Sequence, residues 1–320
     1  MKTLPSIRSE LNKETVNFIL KKNFNTISPF LYKLTTEWFN GSYRVFNDLN
    51  KYLILIYFVN KDFEFYRRNN INITYESFYR SKDLEIIKVN IIQIANDLNI
   101  PKESVRRKII SLEKEGIIAK VGKKVSINRS AYKSAQPVVN LQNVSSLLSI
   151  FTKLLKKNKL KKNYLETEEV LKLLKQNFSF CWYQFYKFLF SLAYRWQSYF
   201  GDLELFLIMN TIVFNTNSNI TSKLNGLDSY LEKWRSEIQK TNIVGINAMS
   251  ISDITGIPRP TVVRKLKFLI KNKFITMDKK KLFHLKLNEK NYKDLVKRQD
   301  ETLLSISDFI TRTFNQINLN

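Results

Sequence analysis

The chain has 320 residues, 44% of them hydrophobic, which excludes a disordered protein and predicts two domains. One cysteine, Cys181, excludes a disulfide framework and fits a reducing cytosol. No segment has the layout of a signal peptide or the length of a membrane span, so we expect a cytoplasmic protein with no membrane partner.

Apolar helical blocks come first in the chain, and each recurs later. Val16–Phe24 matches Val170–Phe178, Phe30–Trp38 matches Phe188–Trp196, and Phe46–Leu49 matches Phe200–Leu203. The last block includes Asp48 and Asp202, which we interpret as helix N-caps because a carboxylate is stabilised at that end of a helix. The offsets range from 154 to 158, so we expect a duplication with small insertions between the copies.

A second pattern is written twice, over residues 94–118 and 251–275. Both copies contain I-P-x-x-[ST]-V-x-R-K-[IL]-x-x-L, aligned on Pro101 and Pro258. A short helix, a tight turn and a second helix that starts at a proline predict a helix-turn-helix. The positions that would bury its core in the first copy are Ile94, Leu98, Ile100, Val105, Ile109 and Leu112.

If Val105 faces inward, the charged residues beside it face outward. The outward set in the first copy is Lys102, Glu103, Arg106 and Arg107, with Ser104 and Lys108 near its edges. The second copy places Arg259, Thr261, Val263, Arg264 and Lys265 at the same positions. Such side chains bond base edges and phosphates, so these residues are candidate DNA contacts.

Each second helix is followed by an alternating stretch that predicts a β-hairpin. The first tip carries Lys123 and Lys124, and the second runs from Asp278 through Lys279, Lys280 and Lys281. Residues 101–124 and 258–281 together carry +13 of the net charge of +25, although they make up 48 residues. Coding bias alone would spread the charge evenly, so the concentration indicates a phosphate-facing surface.

Three further segments are predicted to be helical. Residues 130–163 form a linker with a basic amphipathic helix that carries Leu147, Leu148 and Phe151. The aromatic block Phe178–Phe200 is interpreted as packing between the two units, with an apolar ligand pocket as the alternative. The C-terminal segment Asn291–Phe314 is interpreted as a docked helix, with a dimerisation helix as the alternative.

At the repeated motif the chain resembles winged helix-turn-helix transcription regulators. The likeness is closest to the DNA-binding domain of the catabolite activator protein family and looser to MarR-type repressors, and it rests on Pro101–Arg107 and Pro258–Arg264. It implies phosphate contacts for Ser104 and Thr261 and base contacts for Lys102, Glu103, Arg107, Arg259 and Arg264. Lys102 replaces the family's arginine and Pro260 its glutamate, so the sequence preference is not transferable.

These observations predict a mostly α protein with short β-hairpin wings, in which tandem winged helix-turn-helix units form an intrachain pseudo-dimer. The expected division is a helical segment with the first winged helix over 1–129, the linker over 130–163, the second such unit over 164–288 and the C-terminal helix over 289–320.

The expected function is sequence-specific binding of double-stranded DNA at an asymmetric site, as a nucleoid-associated transcriptional regulator. The alternatives are a plasmid- or phage-type replication initiator and a protein-interaction adaptor. The one histidine, His284, lies in the second hairpin, so we expect no enzymatic activity, metal or cofactor. A homodimer through the C-terminal helix is a further possible partner arrangement, and the sequence does not indicate whether a small-molecule effector binds.

Overall fold

The computed structural model describes residues 10–87, 89–121, 124–132, 136–223, 230–238 and 244–319. Within these ranges the protein is mostly helical with two small antiparallel sheets, which confirms the predicted mostly α class. None of the helices in these ranges is both long and apolar enough to cross a bilayer.

The same order of elements occurs in both halves of the chain. The first half contains α1 (Lys13–Lys22), α2 (Phe24–Phe46), α3 (Leu49–Arg68), α4 (Tyr75–Arg80), β1 (Asp83–Ile86), α5 (Ile91–Leu98), α6 (Lys102–Lys114), β2 (Ile118–Val121), β3 (Lys124–Asn128) and α7 (Val138–Lys157). The second half contains α8 (Thr167–Gln176), α9 (Phe178–Phe200), α10 (Leu203–Lys223), α11 (Leu231–Ile238), α12 (Ala248–Thr255), α13 (Arg259–Lys271), β4 (Ile275–Met277), β5 (Phe283–Leu285) and α14 (Glu289–Leu319). The position of β1 is taken in the second half by a bridge between Ile246 and Phe283.

The starts of α3 and α10 are capped as the sequence predicted. Asp48 accepts a hydrogen bond from the Lys51 amide at 3.0 Å, and Asp202 accepts one from the Glu204 amide at 2.8 Å. Side-chain oxygens at these positions satisfy amides that the first helical turn leaves without a partner. The two aspartates therefore fix equivalent helix starts in the two halves.

The register of the repeat differs from the predicted one in α2 and α9. Both helices have 23 residues and are preceded by Asn23 and Asn177, so the offset is 154 at both ends and neither contains an insertion. Trp38 is thus equivalent to Leu192, and its predicted match to Trp196 is wrong by four residues. Residues four apart lie on the same face of a helix. A shift of four residues therefore aligns large apolar side chains about as well as the correct register does.

The two halves pack on each other reciprocally. Helix α3 packs against α9 while α10 packs against α2, and α7 packs against α8 while α14 packs against α1. Two equivalent hydrogen bonds accompany this packing. Asn315 Oδ1 of α14 accepts from the Leu11 amide, and Thr152 Oγ1 of α7 accepts from the Leu165 amide, both at 3.0 Å. The helix predicted within the linker is therefore the counterpart of α14, and its face with Leu147, Leu148 and Phe151 is buried.

Aromatic rings of α9 join the halves. Phe185 and Trp38 have ring centroids 5.0 Å apart, and Phe178 and Phe63 have theirs 5.8 Å apart. These contacts cross from one half to the other, so the first part of the block packs between the units as predicted. Farther along α9, Tyr194 is exposed and Trp196 stacks on Phe206 within the second half.

Helix α14 is docked, as the sequence favoured. Its residues Leu303, Ile306, Phe309 and Ile310 are buried against the rest of the chain. The apolar face that a dimerisation helix would need is thus used within the molecule. A homodimer through this face would have to displace α14 from α1 and α9.

Candidate nucleic-acid interface

The first helix pair is held at a fixed geometry by a cap, a turn and a small core. Asn90 caps α5 by accepting from the Ile92 amide at 2.9 Å, and Asn99 ends it in the left-handed conformation with φ of 53°. Helix α6 starts directly after Pro101. Of the predicted core residues, Ile94, Leu98, Ile100, Val105 and Leu112 are buried, and Ile109 is half-buried.

The second pair, α12 and α13, repeats this construction. Asn247 accepts from the Ser250 amide at 2.8 Å, Gly256 ends α12 with φ of 78°, and Pro258 precedes α13. Its core consists of Ile251, Ile257, Val262, Leu266 and Leu269, all buried. Because caps and turns coincide, the second helix of each pair presents equivalent positions to solvent.

Most of the predicted contacts on α6 are accessible. Lys102, Glu103, Arg106 and Arg107 are exposed, and Ser104 is half-buried. Arg106 lies 3.8 Å from the carboxylate of Glu103, so part of its charge is balanced on the helix itself. Arg107 makes no ion pair or side-chain hydrogen bond with a described residue.

Helix α13 offers a smaller polar face. Arg259, Val263 and Arg264 are exposed and Thr261 is half-buried. Arg264, like Arg107, has no side-chain partner in the described part of the chain. Each of the two helices thus exposes an arginine at its sixth residue, Arg107 in α6 and Arg264 in α13.

The structure corrects the prediction for Lys108 and Lys265. Lys265 is 7% exposed, and its ammonium group forms ion pairs with Asp202 and, at 3.0 Å, with Glu204. Lys108 is paired with Asp48, and its side chain is 14% exposed. Burial against their own carboxylates withdraws these two lysines from the surface that a duplex would meet.

The first hairpin consists of β2 and β3, and β1 adds a third strand along β3. Lys124 is exposed at its tip and lies 3.3 Å from the carboxylate of Glu85 on β1. Lys123, the other predicted contact at this tip, lies outside the described residues. Strand β1 was missed by the sequence analysis, although the alternation of Asp83, Leu84, Glu85 and Ile86 gives a signal for it.

The second hairpin, β4 and β5, carries the exposed residues Lys279, Lys280 and Lys281. Asp278 shapes its tip by accepting from the amides of Lys280 and Leu282, both at 2.9 Å, and by pairing with His284 at 3.0 Å. The Leu282 amide and the His284 ring lower the pKa of the Asp278 carboxyl. His284 is thus a structural residue of the hairpin.

Each turn between the paired helices is contacted by the opposite half, which no sequence signal indicated. Arg44 of α2 donates to the carbonyl oxygens of Asp253 and Ile254 at the end of α12, both at 2.7 Å. Ser198, at the equivalent position of α9, accepts from Asn99 Nδ2 at the end of α5 at 3.0 Å. The orientation of each helix pair therefore depends on the long helix of the other half.

The exposed arginine and lysine side chains of α6, α13 and the two hairpins are hydrogen-bond donors that suit an anionic ligand. Among the described residues no cluster of His, Cys, Asp or Glu is suited to hold a metal ion. Cys181 is buried within α9, and burial raises the pKa of its thiol, which disfavours the nucleophilic thiolate.

A comparison of the chain with models of protein families, with curated proteins and with solved structures finds no match.

Proposed function

We propose that the chain is a sequence-specific double-stranded DNA-binding protein that acts as a transcriptional regulator. In this proposal its two helix pairs and hairpins are winged helix-turn-helix units, joined as a pseudo-dimer within one chain. The observation that carries the proposal is the equivalent placement of Arg107 and Arg264, each exposed and without a side-chain partner among the described residues. An arginine at such a position can donate two hydrogen bonds to the edge of a guanine.

The reciprocal packing of α3 on α9 and α10 on α2 supports a two-part interface. A dimeric helix-turn-helix protein places its two recognition helices in successive major grooves, ~34 Å or a multiple of it apart. An exchange of helices between halves fixes the relative orientation of the two units without a second chain. We infer that one molecule engages both half-sites.

The two half-sites are expected to differ. Helix α6 presents Lys102, Glu103 and Arg106 beside Arg107, and glutamate accepts from cytosine while lysine and arginine donate to guanine. Helix α13 presents Pro260 and Val263 at the positions of Glu103 and Arg106, and an apolar side chain favours the methyl group of thymine. One chain should therefore select an asymmetric operator.

In this proposal the lysines of the hairpins supply the part of the binding free energy that does not depend on the DNA sequence. Lys124 and Lys279–Lys281 are exposed beside α6 and α13. Lysines that neutralise phosphates release counterions, so the affinity falls as the salt concentration rises. In the proposal these residues position the protein on the backbone while α6 and α13 select the bases.

Selection of bound sequences from a random duplex pool tests this proposal. The wild type is expected to enrich one asymmetric sequence with two conserved blocks, and Arg264→Ala to relax the preference in one block only. Arg107→Ala is expected to relax the other block. Salt-sensitive binding with no enriched sequence would overturn the proposal, as would retention of both blocks in the double variant.

A further inference from the structure

A partly open cavity of about 120 Å³ lies between α9, α10, α11 and α14 of the second half and α2 of the first half. Its wall is mainly apolar and includes Leu31, Leu192, Phe206, Val213, Trp234 and Leu303. An apolar cavity of similar size in an engineered protein stays dry and binds benzene. We propose that this cavity is a binding site for a small neutral aromatic molecule with one ring or two fused rings.

The duplication of the chain provides an internal comparison. At the equivalent positions of the first half, Trp38 replaces Leu192 and Tyr52 replaces Phe206. The rings of Trp38 and Tyr52 lie 5.9 Å apart, and Trp38 is buried. The fold therefore accommodates larger rings at this place. Because unfilled volume in a core destabilises a protein, a smaller side chain at Leu192 indicates space kept for another molecule.

The polar groups of the wall indicate a neutral ligand. Arg235 donates to Gln299 Oε1 at 2.8 Å, and its charge is balanced by Asp300 at 3.1 Å and Glu232 at 3.3 Å. The hydroxyl of Tyr32 accepts from Gln299 Nε2 at 3.4 Å, and burial raises its pKa, which keeps the phenol protonated. The wall thus offers hydroxyl and amide groups but no unbalanced charge, which disfavours an anion.

The cavity contacts the elements that hold α13. Leu285 of β5 lies in its wall, and so do Phe206 and Met209 of α10. The first turn of α10 contains Glu204, which with Asp202 binds Lys265 of α13. Under the proposed function, a bound molecule would alter the position of α13 and so the affinity for DNA. This coupling rests on the proposed function, whereas the binding itself does not.

The test uses indole as the probe, benzoate as a charged ring compound, and the full chain without DNA. We expect indole to raise the midpoint of thermal unfolding, to saturate at one molecule per chain in calorimetry, and to show nuclear Overhauser contacts with the methyl groups of Leu192 and Val213. Benzoate is expected to bind at least tenfold more weakly. Equal binding of both probes, or no saturable binding of indole, overturns the proposal.

Two variants fill the cavity independently. Leu192→Trp introduces the ring that the first half carries, and Val213→Phe enlarges a side chain that α10 contributes to the wall. Each variant is expected to weaken indole binding at least tenfold. Leu55→Met, at the position equivalent to Met209 in the first half, is the matched control and should bind like the wild type. Unchanged binding in a folded filling variant places the probe elsewhere and overturns the assignment. DNA affinity, measured separately with and without indole, tests the coupling alone.

Discussion

Lys108 of α6 and Lys265 of α13 form ion pairs with Asp48 and Asp202, the aspartates that start α3 and α10. The four residues occupy equivalent positions in the two halves. In the second half the carboxylate of Glu204 also binds Lys265 at 3.0 Å and accepts from the Tyr43 hydroxyl of the first half at 2.9 Å. One lysine per half thus ties the candidate recognition helix to the helical framework.

Replacing Lys265 by alanine should destabilise the fold. The change leaves Asp202 and Glu204 facing each other without their cation, and loss of one partner of a largely buried ion pair leaves uncompensated charge. Because the two carboxylates are partly exposed, we expect a loss of about 1–3 kcal/mol in the free energy of unfolding. Urea denaturation measures this loss. Lys267→Ala, an exposed lysine on the same helix, should stay within about 0.5 kcal/mol of the wild type. Equal values for the two variants would show that the ion pairs do not hold α13.

Arg107→Ala and Arg264→Ala should weaken binding to the selected duplex without affecting the fold. Each variant is expected to lose about 1–3 kcal/mol of binding free energy, because a bidentate contact to a base edge is removed. Fluorescence anisotropy at a fixed salt concentration measures the loss. Lys114→Ala and Lys271→Ala are matched controls, since these exposed lysines occupy equivalent positions near the ends of α6 and α13. If the controls lose as much affinity as the arginine variants, the arginines act only through their charge.

Local patterns in the sequence predicted local structure well. The motif around Pro101 and Pro258 predicted both helix pairs, the hairpins and most of the buried residues of the first pair, because caps, turns and apolar spacing act over a few residues. Asp48 and Asp202 were identified as caps for the same reason.

Contacts between distant segments were not predictable from these patterns. The exposure of Lys108 and Lys265 was mispredicted because their partners lie about 60 residues earlier in the chain. The exchange of α7 and α14 between the halves was also missed, since an amphipathic pattern shows that a face is buried but not which helix covers it. The contact between Arg44 and α12 was missed for the same reason, because its partners lie more than 200 residues apart in the chain.

Arg44→Ala should loosen the second helix pair more than the first. The guanidinium group bonds two carbonyl oxygens at the end of α12, where a helix leaves its acceptors without partners. Arg44 is exposed, so the expected loss is about 1 kcal/mol. Hydrogen exchange should show faster exchange over residues 248–271 than in the wild type. Ser198→Ala, the matched change in the other half, should affect residues 91–114 instead. A uniform acceleration over both pairs would mean that neither contact acts locally.

Asp62 of α3 should make the stability of the protein dependent on pH. Its carboxylate is buried and accepts from the Ile87 amide at 3.1 Å, and burial raises its pKa to about 7. Between the unfolded pKa, about 4, and this value, the folded state binds more protons than the unfolded state. The free energy of unfolding should therefore fall as the pH rises from about 4 to about 7, by at most about 4 kcal/mol, and level off above.

Asp62→Asn isolates this contribution, because an amide oxygen still accepts from Ile87 while the side chain no longer titrates. The variant and the wild type should be nearly equal in stability at pH 4, and the variant should be the more stable at pH 8. Urea denaturation across this range measures the difference, and Asp83→Asn, an exposed carboxylate on β1, should show no such divergence. A constant difference between Asp62→Asn and the wild type from pH 4 to pH 8 would contradict the assignment. It would mean that Asp62 is ionised in the folded state over this range, so that the cost of burying its charge is offset by neighbouring groups such as Arg129, whose charge lowers the pKa of Asp62.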